Sequence, residues 1–356
     1  MKIALFTIHR AANYGAVLQA VASQLFLSRF GQVDVIDYRN KYNENSMRVI
    51  RECKSYDGFK SAVKDVFRAV PRRRLIQRFE QFIADKFNLA PVDSVKEYNV
   101  YVAGSDQIWN PNIVSDGVVF DDVYFLRGCN GIKVSMASSF GGYNLSHRNE
   151  GRVKELLNDY TAISVRESGA AVRLAETLGR EVVNVLDPTL LLSKKEWSAE
   201  FEIEVKPEQP YILVYALKKC SEFYKIVEMY RRSMGIKVIV IDQDPSFSMF
   251  SSNYIMDAGP IEFLELFYNA RFVITNSFHG VAFSVNFEVP FIAVKPVHSS
   301  NRVTDFLETV DLLGRYVTDS SPVAALLGQE VNFDSSRNIL STKRRDAAVF
   351  LGKSMC

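Results

Sequence analysis

The chain has 356 residues, 47% of them hydrophobic and 24% charged, with a formal net charge of +2. That length exceeds the usual single-core limit of roughly 250–300 residues and predicts two domains; the near-neutral balance gives no case for binding nucleic acid. The four cysteines (Cys53, Cys129, Cys220, Cys356) form no CxxC pair and have no histidine partner at metal spacing, which argues against a disulfide framework or zinc site and for a reducing cytosol.

The first predicted strand covers residues 3–6. It is too short for a signal h-region, and no apolar run reaches the ~18–20 residues a bilayer span needs. A cytoplasmic chain is expected, which makes the Asn144-Leu145-Ser146 sequon a chance match. A polar turn carrying His9, Asn13 and Tyr14 leads into a helix over 14–30. Gly31 and a strand over 34–37 follow. The turn lacks GxGxxG spacing, so a dinucleotide cofactor is not expected.

Residues 41–90 form a helical excursion in which Arg72-Arg73-Arg74 lies among Phe67, Leu75, Ile76, Phe79 and Phe82. One reading is a pair of surface amphipathic helices with a solvated basic face. The other is a transient contact, through residues 67–87, with the anionic inner membrane leaflet or a lipid-linked substrate.

Three more turns follow apolar runs. Gly104-Ser105-Asp106-Gln107-Ile108-Trp109 offers polar groups for hydroxyls and an aromatic face for a sugar ring; the structural alternative is a helix cap followed by a packed indole. Ser135-Met136-Ala137-Ser138-Ser139-Phe140-Gly141-Gly142 is small enough for close backbone approach. Ser164-Val165-Arg166-Glu167-Ser168 ends a strand in an arginine whose fork fits phosphate or carboxylate; the alternative is an ion pair with Glu167 or another acid.

Residues 194–210 are charged, contain Pro207 and Pro210, and read as a linker. The second half then repeats the opening pattern: strand 211–217, helix 222–234, Gly235, strand 237–242. Each unit is strand, helix, glycine stop, strand and terminal acid, the βαβ grammar of a parallel sheet. Two doubly wound α/β domains are predicted, 1–200 and 201–356.

Further on, strand 272–274 runs into Thr275-Asn276-Ser277-Phe278-His279-Gly280, helix 281–287 and strand 291–294. A helix N-terminus at the carboxyl end of a strand favours anions, and His279 there is one of only four histidines. It is a candidate proton-transfer group. Gly352-Lys353-Ser354 lacks the earlier glycine of a P-loop and predicts no triphosphate site.

These blocks, in this order, resemble the polysaccharide pyruvyl transferases. Thr7-x-His9-x-x-x-Asn13-Tyr14-Gly15-Ala16-x-Leu18-Gln19-Ala20 looks like the opening motif of many bacterial members. Gly104 to Pro111, Ser164 to Ser168, Asp187-Pro188-Thr189, Ser277-Phe278-His279-Gly280 and Asn301-Arg302 are similar to later blocks. The resemblance covers most of the chain. It implies a fold like the two-domain GT-B glycosyltransferases, with Rossmann-like domains facing a cleft. The implied activity moves pyruvyl from phosphoenolpyruvate onto two hydroxyls of a hexose, giving a cyclic ketal and phosphate. The hexose belongs to a lipid-linked or polymeric glycan such as a capsule or exopolysaccharide, and no metal or organic cofactor is implied.

On that reading His279 and Arg166 are catalytic. The donor is bound by Arg166 with Asn276, Ser277, Phe278, His279, Gly280, Lys295 and Arg302. The acceptor is bound by His9, Asn13, Tyr14, Asp106, Gln107, Trp109, Ser138 and Ser139. Several relatives carry Arg-Leu-His where this chain has Ser277-Phe278-His279, and Lys295 or Arg302 is expected to supply the missing cation. Two other functions fit the same architecture. One is a glycosyltransferase using a sugar nucleotide, which would bind nucleotide in the second domain. The other is a non-catalytic glycan-binding protein.

Overall fold

The apolar runs become parallel strands buried on both faces, as continuous Val/Ile/Leu/Phe segments require. The computed structural model describes the chain apart from residues 53–62, 64, 144, 146, 207–208, 218, 243–252, 297–301 and 356 and the side chains of 147 and 148. Cys53, Cys356, Asn144, Ser146, Pro207 and Asn301 lie outside the described residues. The chain is α/β with parallel sheets, in two compact units.

The first unit comprises Met1–Glu52, Phe79–Leu191 and Thr342–Cys356. Its strands are β1 (Lys2–Phe6), β2 (Gln32–Ile36), β3 (Leu89–Ala90), β4 (Val100–Ala103), β5 (Ile132–Ser135), β6 (Ser164–Val165) and β7 (Val183–Asn184). The sheet order is β3-β2-β1-β4-β5. The β6-β7 pair joins it through parallel bridges Val134↔Ala162 and Ser138↔Val165.

The second unit comprises Cys53–Arg78 and Leu192–Ser341. Its strands are β8 (Tyr211–Tyr215), β9 (Lys237–Ile241), β10 (Asn253–Ile255), β11 (Phe272–Thr275), β12 (Phe291–Val294) and β13 (Tyr316–Val317), ordered β10-β9-β8-β11-β12-β13. The helix Ser221–Met234 buries Phe223, Ile226, Val227 and Tyr230, and Tyr230 stacks on Phe272 at 4.4 Å. Gly235 ends that helix at φ 63°, a left-handed cap.

In both sheets the strand order reverses beside the first strand, so each has its switch point between its first and fourth strands, the usual ligand position in open α/β sheets. In the first unit the carboxyl ends flanking it carry Thr7 and Gly104. In the second they carry Ala216 and Asn276.

Three organisational expectations need correction. A single boundary near residue 200 is not what the chain does. Residues 53–78 group with the second unit, and the end of the helix Asp334–Ser354 returns to the first, where Arg344 donates to the Leu190 carbonyl at 2.7 Å. The expected linker holds the helix Lys194–Glu200, closed by a Ser193–Glu196 capping box. Its fully buried Trp197 stacks on Phe201 at 5.3 Å and meets Phe283 edge-on at 5.4 Å; one buried indole outweighs the surrounding charge.

The third concerns the basic run. Arg72 is buried, 3.8 Å from the buried Asp65. In the helix Ala69–Lys86 its spacing puts it on the same face as Leu75, Ile76, Phe79 and Phe82, all buried. Arg73 and Arg74 are exposed.

Candidate functional site

In the second unit, β11 ends at Thr275 and turns through Asn276 and Ser277 into the helix Phe278–Phe287. Ser277 occupies the cap position without a side-chain cap bond. Its N–H instead donates to Thr275 Oγ1 at 3.1 Å. A β-carbon on Gly280 would stand 2.2 Å from that same oxygen, so glycine is what lets the first helical turn approach the strand end. Asn276 Oδ1 accepts the Leu217 N–H at 2.9 Å and ties together the chains leaving β8 and β11.

Tyr215 closes β8 opposite Thr275. Burial pushes its phenol well above the ordinary range, against a hydrogen bond with Ser277 that lowers it. Close by in sequence order, Lys219 pairs with Asp242, side chains 10% and 14% exposed. His279 is half-buried, its ring edge-on to Phe278 at 5.3 Å. The Arg302 guanidinium lies 5.7 Å over the Phe278 ring. Lys295 is exposed, and its N–H continues the strand ladder to the Val317 carbonyl at 2.8 Å. Of the two candidate cations, Arg302 is the one in contact with the block.

In the first unit the predicted residues separate into two groups. Asn13, exposed, caps the helix Tyr14–Leu27, its Oδ1 accepting from Gly15 N at 2.9 Å and Ala16 N at 3.4 Å. Tyr14 packs its ring 5.2 Å from Phe79. Half-buried Asp106 sits at φ 68° and accepts the Gln107 N–H with its own carboxylate at 2.8 Å, a left-handed turn that Asp tolerates. Gln107 Oε1 accepts from Asn110 at 2.9 Å.

The other group is interior, and the acceptor assignment of its members is corrected. Trp109 is 0% exposed, stacked on Phe125 at 5.1 Å with its indole N–H on the Tyr124 carbonyl at 3.1 Å. No face is left for a sugar ring. Ser138 is fully buried, its hydroxyl 3.0 and 2.8 Å from the Ala103 and Gly104 carbonyls. Ser139, equally buried, donates to Glu167 at 2.5 Å and accepts from Gly141 N at 2.9 Å. His9 is 1% exposed, with Thr7 O 3.1 Å from Nδ1 and Asp37 Oδ1 3.2 Å from Nε2. Small polar residues at these strand ends satisfy buried carbonyls, a role their composition does not distinguish from hydroxyl recognition.

Arg166, expected to be catalytic and to bind the donor, is interior as well, and protein groups occupy its fork. Its guanidinium donates to Asp187 at 2.6 Å, to Ser139 at 3.2 Å and to Glu167 at 3.4 Å. Burial opposes its charge, but Glu167, Asp187 and Asp106 hold the pKa above the ordinary arginine value. Asp187 in turn takes the Thr189 N–H and hydroxyl at 3.0 and 2.7 Å. The sequence blocks around Arg166 and Asp187 are thus two halves of one buried ion cluster.

Two features escaped the sequence reading. Arg10 donates to both Asp37 oxygens at 2.5 and 2.9 Å. Arg10 lies four residues past β1 and Asp37 one past β2; Lys219 lies four past β8 and Asp242 one past β9. The terminal acid of each repeat was the visible signal, and its cation partner was not. The second feature is a cavity of about 340 Å³ lined by Tyr38, Arg39, Tyr42, Asp116 and Phe120 among others. Asp121 Oδ2 accepts from Tyr38 at 2.9 Å and Asn40 at 2.8 Å, and Asn40 also reaches the Val114 carbonyl at 2.7 Å, which pins two walls together.

A family model for polysaccharide pyruvyl transferase matches residues 13–298. The chain belongs to the polysaccharide pyruvyl transferase family. The match takes in most of the chain, including the Ser277–His279–Gly280 turn, and supports a transferase acting on a polysaccharide. No curated protein matches this transferase. Among solved structures it is similar to the UDP-GlcNAc 2-epimerase from Neisseria meningitidis bound to UDP-GlcNAc, at 10% identity over 99% of this chain and 100% of that one, TM-score 0.48. The UDP-GlcNAc 2-epimerase from Methanocaldococcus jannaschii is 13% identical over 96% and 98%, TM-score 0.47. The E. coli heptosyltransferase with ADP-2-deoxy-2-fluoro heptose is 11% identical over 84% and 90%, TM-score 0.37.

Proposed function

We propose that this transferase moves the pyruvyl group of phosphoenolpyruvate onto two hydroxyls of a hexose in a lipid-linked or polymeric surface glycan. The observation that carries the reading is the turn after β11. There His279 stands in the first turn of a helix that Ser277 leaves uncapped, at a sheet switch point, in a member of this family.

The donor carries a phosphate and a carboxylate. Backbone N–H groups at the start of the helix Phe278–Phe287 favour such anions, and Arg302 over Phe278 adds a cation beside them. Protonation of the methylene carbon makes it a methyl and leaves an oxocarbenium-like centre. One sugar hydroxyl adds there, the bond to the phosphate oxygen breaks, and the second hydroxyl closes the ketal. Of the two hydroxyl protons, one balances the new methyl group and the other leaves with phosphate. His279 is the group assigned to these transfers.

For the acceptor we assign the cavity beside Tyr38 and Tyr42 in place of Trp109. Aromatic faces with hydroxyl and carboxylate neighbours suit a pyranose, and its volume falls at the small end of the ~300–1,000 Å³ usual for ligand sites.

The test is phosphate release from phosphoenolpyruvate across a panel of lipid-linked hexose acceptors, with ketal formation read by mass spectrometry. Acceptor-dependent release is expected. Binding and turnover of a sugar nucleotide, with phosphoenolpyruvate untouched by every acceptor, overturns the proposal.

A further inference from the structure

Where the helix Ala69–Lys86 begins, the chain turns its amphipathicity inside out. Phe67 is 88% exposed, with Val63 at 42%, Val66 at 59% and Val70 at 63%. Their sequence spacing of three, four and seven is that of one helical face. The buried groups here are ions: Asp65 is 0% exposed, Arg68 pairs with it at 2.9 Å, and Arg72 is buried beside it. Single exposed apolar residues are ordinary, but four exposed apolar residues within eight positions, with the charges folded inward, mark a contact surface.

The charge around the stripe selects what it meets. Residues 63–78 contain Lys64, Arg68, Arg72, Arg73, Arg74 and Arg78, with Asp65 their lone acid. Asp65 is neutralised within the fold, so it does not offset the exposed Arg73 and Arg74. Arg74 keeps its side chain 63% exposed, 3.7 Å from Asp257. The stripe thus runs from apolar side chains into exposed guanidinium groups along successive turns. An anionic lipid surface offers the matching layers: acyl chains for Phe67 and the valines, phosphates for the arginines. Among the described residues no helix is long and apolar enough to cross a membrane.

We infer that Val63, Val66, Phe67 and Val70, with Arg73 and Arg74, dock this protein on an anionic lipid surface. This inference is independent of the donor chemistry. It also relocates the contact expected from sequence, because Phe79 and Phe82 are interior.

The experiment is co-sedimentation of the full chain with vesicles of phosphatidylglycerol and phosphatidylcholine, against phosphatidylcholine alone, at low and high salt. Circular dichroism checks that each variant is folded. Wild type should pellet with the anionic vesicles and be released by salt. Phe67→Ser should lower the partition coefficient about tenfold, the scale of one large apolar side chain returned to water. Arg73→Gln with Arg74→Gln should weaken binding and flatten its salt dependence. Failure of wild type to pellet with anionic vesicles at low salt overturns the proposal, as does unchanged partitioning of the Phe67→Ser variant. So does Phe67-dependent self-association in sedimentation velocity without lipid binding, because the stripe then meets a second copy.

Discussion

Gly280 and Thr275 are in such close contact that a β-carbon on the glycine would fall 2.2 Å from the threonine hydroxyl oxygen. The same hydroxyl accepts the Ser277 N–H, so the pair sets both the turn and the height of the helix carrying His279. Gly280→Ala should cost about 1–3 kcal/mol, the usual range for overpacking, and reduce turnover by moving His279. Adding Thr275→Ser leaves the oxygen in place and should not restore it, whereas Thr275→Ala should recover part of the stability. Urea denaturation of the variants, alongside turnover, checks this ordering.

His279→Ala should leave the fold intact, since the side chain is half-buried rather than a core residue. Turnover should fall by roughly 10²-fold or more, the usual scale for a lost acid–base group. Wild-type turnover in the folded variant would remove His279 from the mechanism.

Arg166→Ala is expected to act first on stability. It strands Asp187 and Glu167 without their cation inside the first unit, and breaking a buried pair in this way costs about 3–5 kcal/mol. Arg166→Lys should recover part of that but not the multiple bonds of the fork. Thermal denaturation and phosphoenolpyruvate calorimetry on the same samples separate the roles. Full stability with lost donor affinity would return Arg166 to the donor site.

Asp37 gives a pH prediction. Its hydrogen bond to His9, then its bonds to Arg10, hold its carboxyl well below the usual carboxylate range, against the opposing effect of burial. A folded-state pKa below the unfolded one adds stability that is present above the unfolded value, ~3.9, and is lost as pH falls through the folded one. Asp37→Asn should therefore lower the melting temperature at neutral pH and make the acid limb below about pH 4 shallower than in wild type. Melting curves across that range decide it; parallel acid limbs would show that Asp37 does not contribute.

Tyr42→Ala should raise the apparent KM for acceptor with the donor KM little changed. The ring is 37% exposed on the cavity, with the Lys41 ammonium 5.2 Å over it. Tyr42→Phe should behave as wild type if ring stacking dominates. A raised donor KM instead would place phosphoenolpyruvate in this cavity.

The sequence by itself determined the parts of this protein written in local period and turn chemistry. Continuous apolar runs gave buried parallel strands. The repeated strand–helix–strand with a terminal acid gave two sheets of matching order. The turn at Ser277–Gly280 is recognisable because its glycine, serine and histidine are close in sequence and close in space. Tertiary structure decided whatever depends on which neighbour claims a side chain. Trp109 is an indole that a sugar or a core could use, and Phe125 and Tyr124 claim it. Arg166 fits phosphate or carboxylate equally, and Asp187, distant in sequence, takes it. Arg72 and Arg74 look alike in the chain, yet helical phase buries one beside Asp65 and leaves the other exposed. Burial is a property of packed surfaces, and a charge or an aromatic ring does not carry in its own identity the partner that will satisfy it.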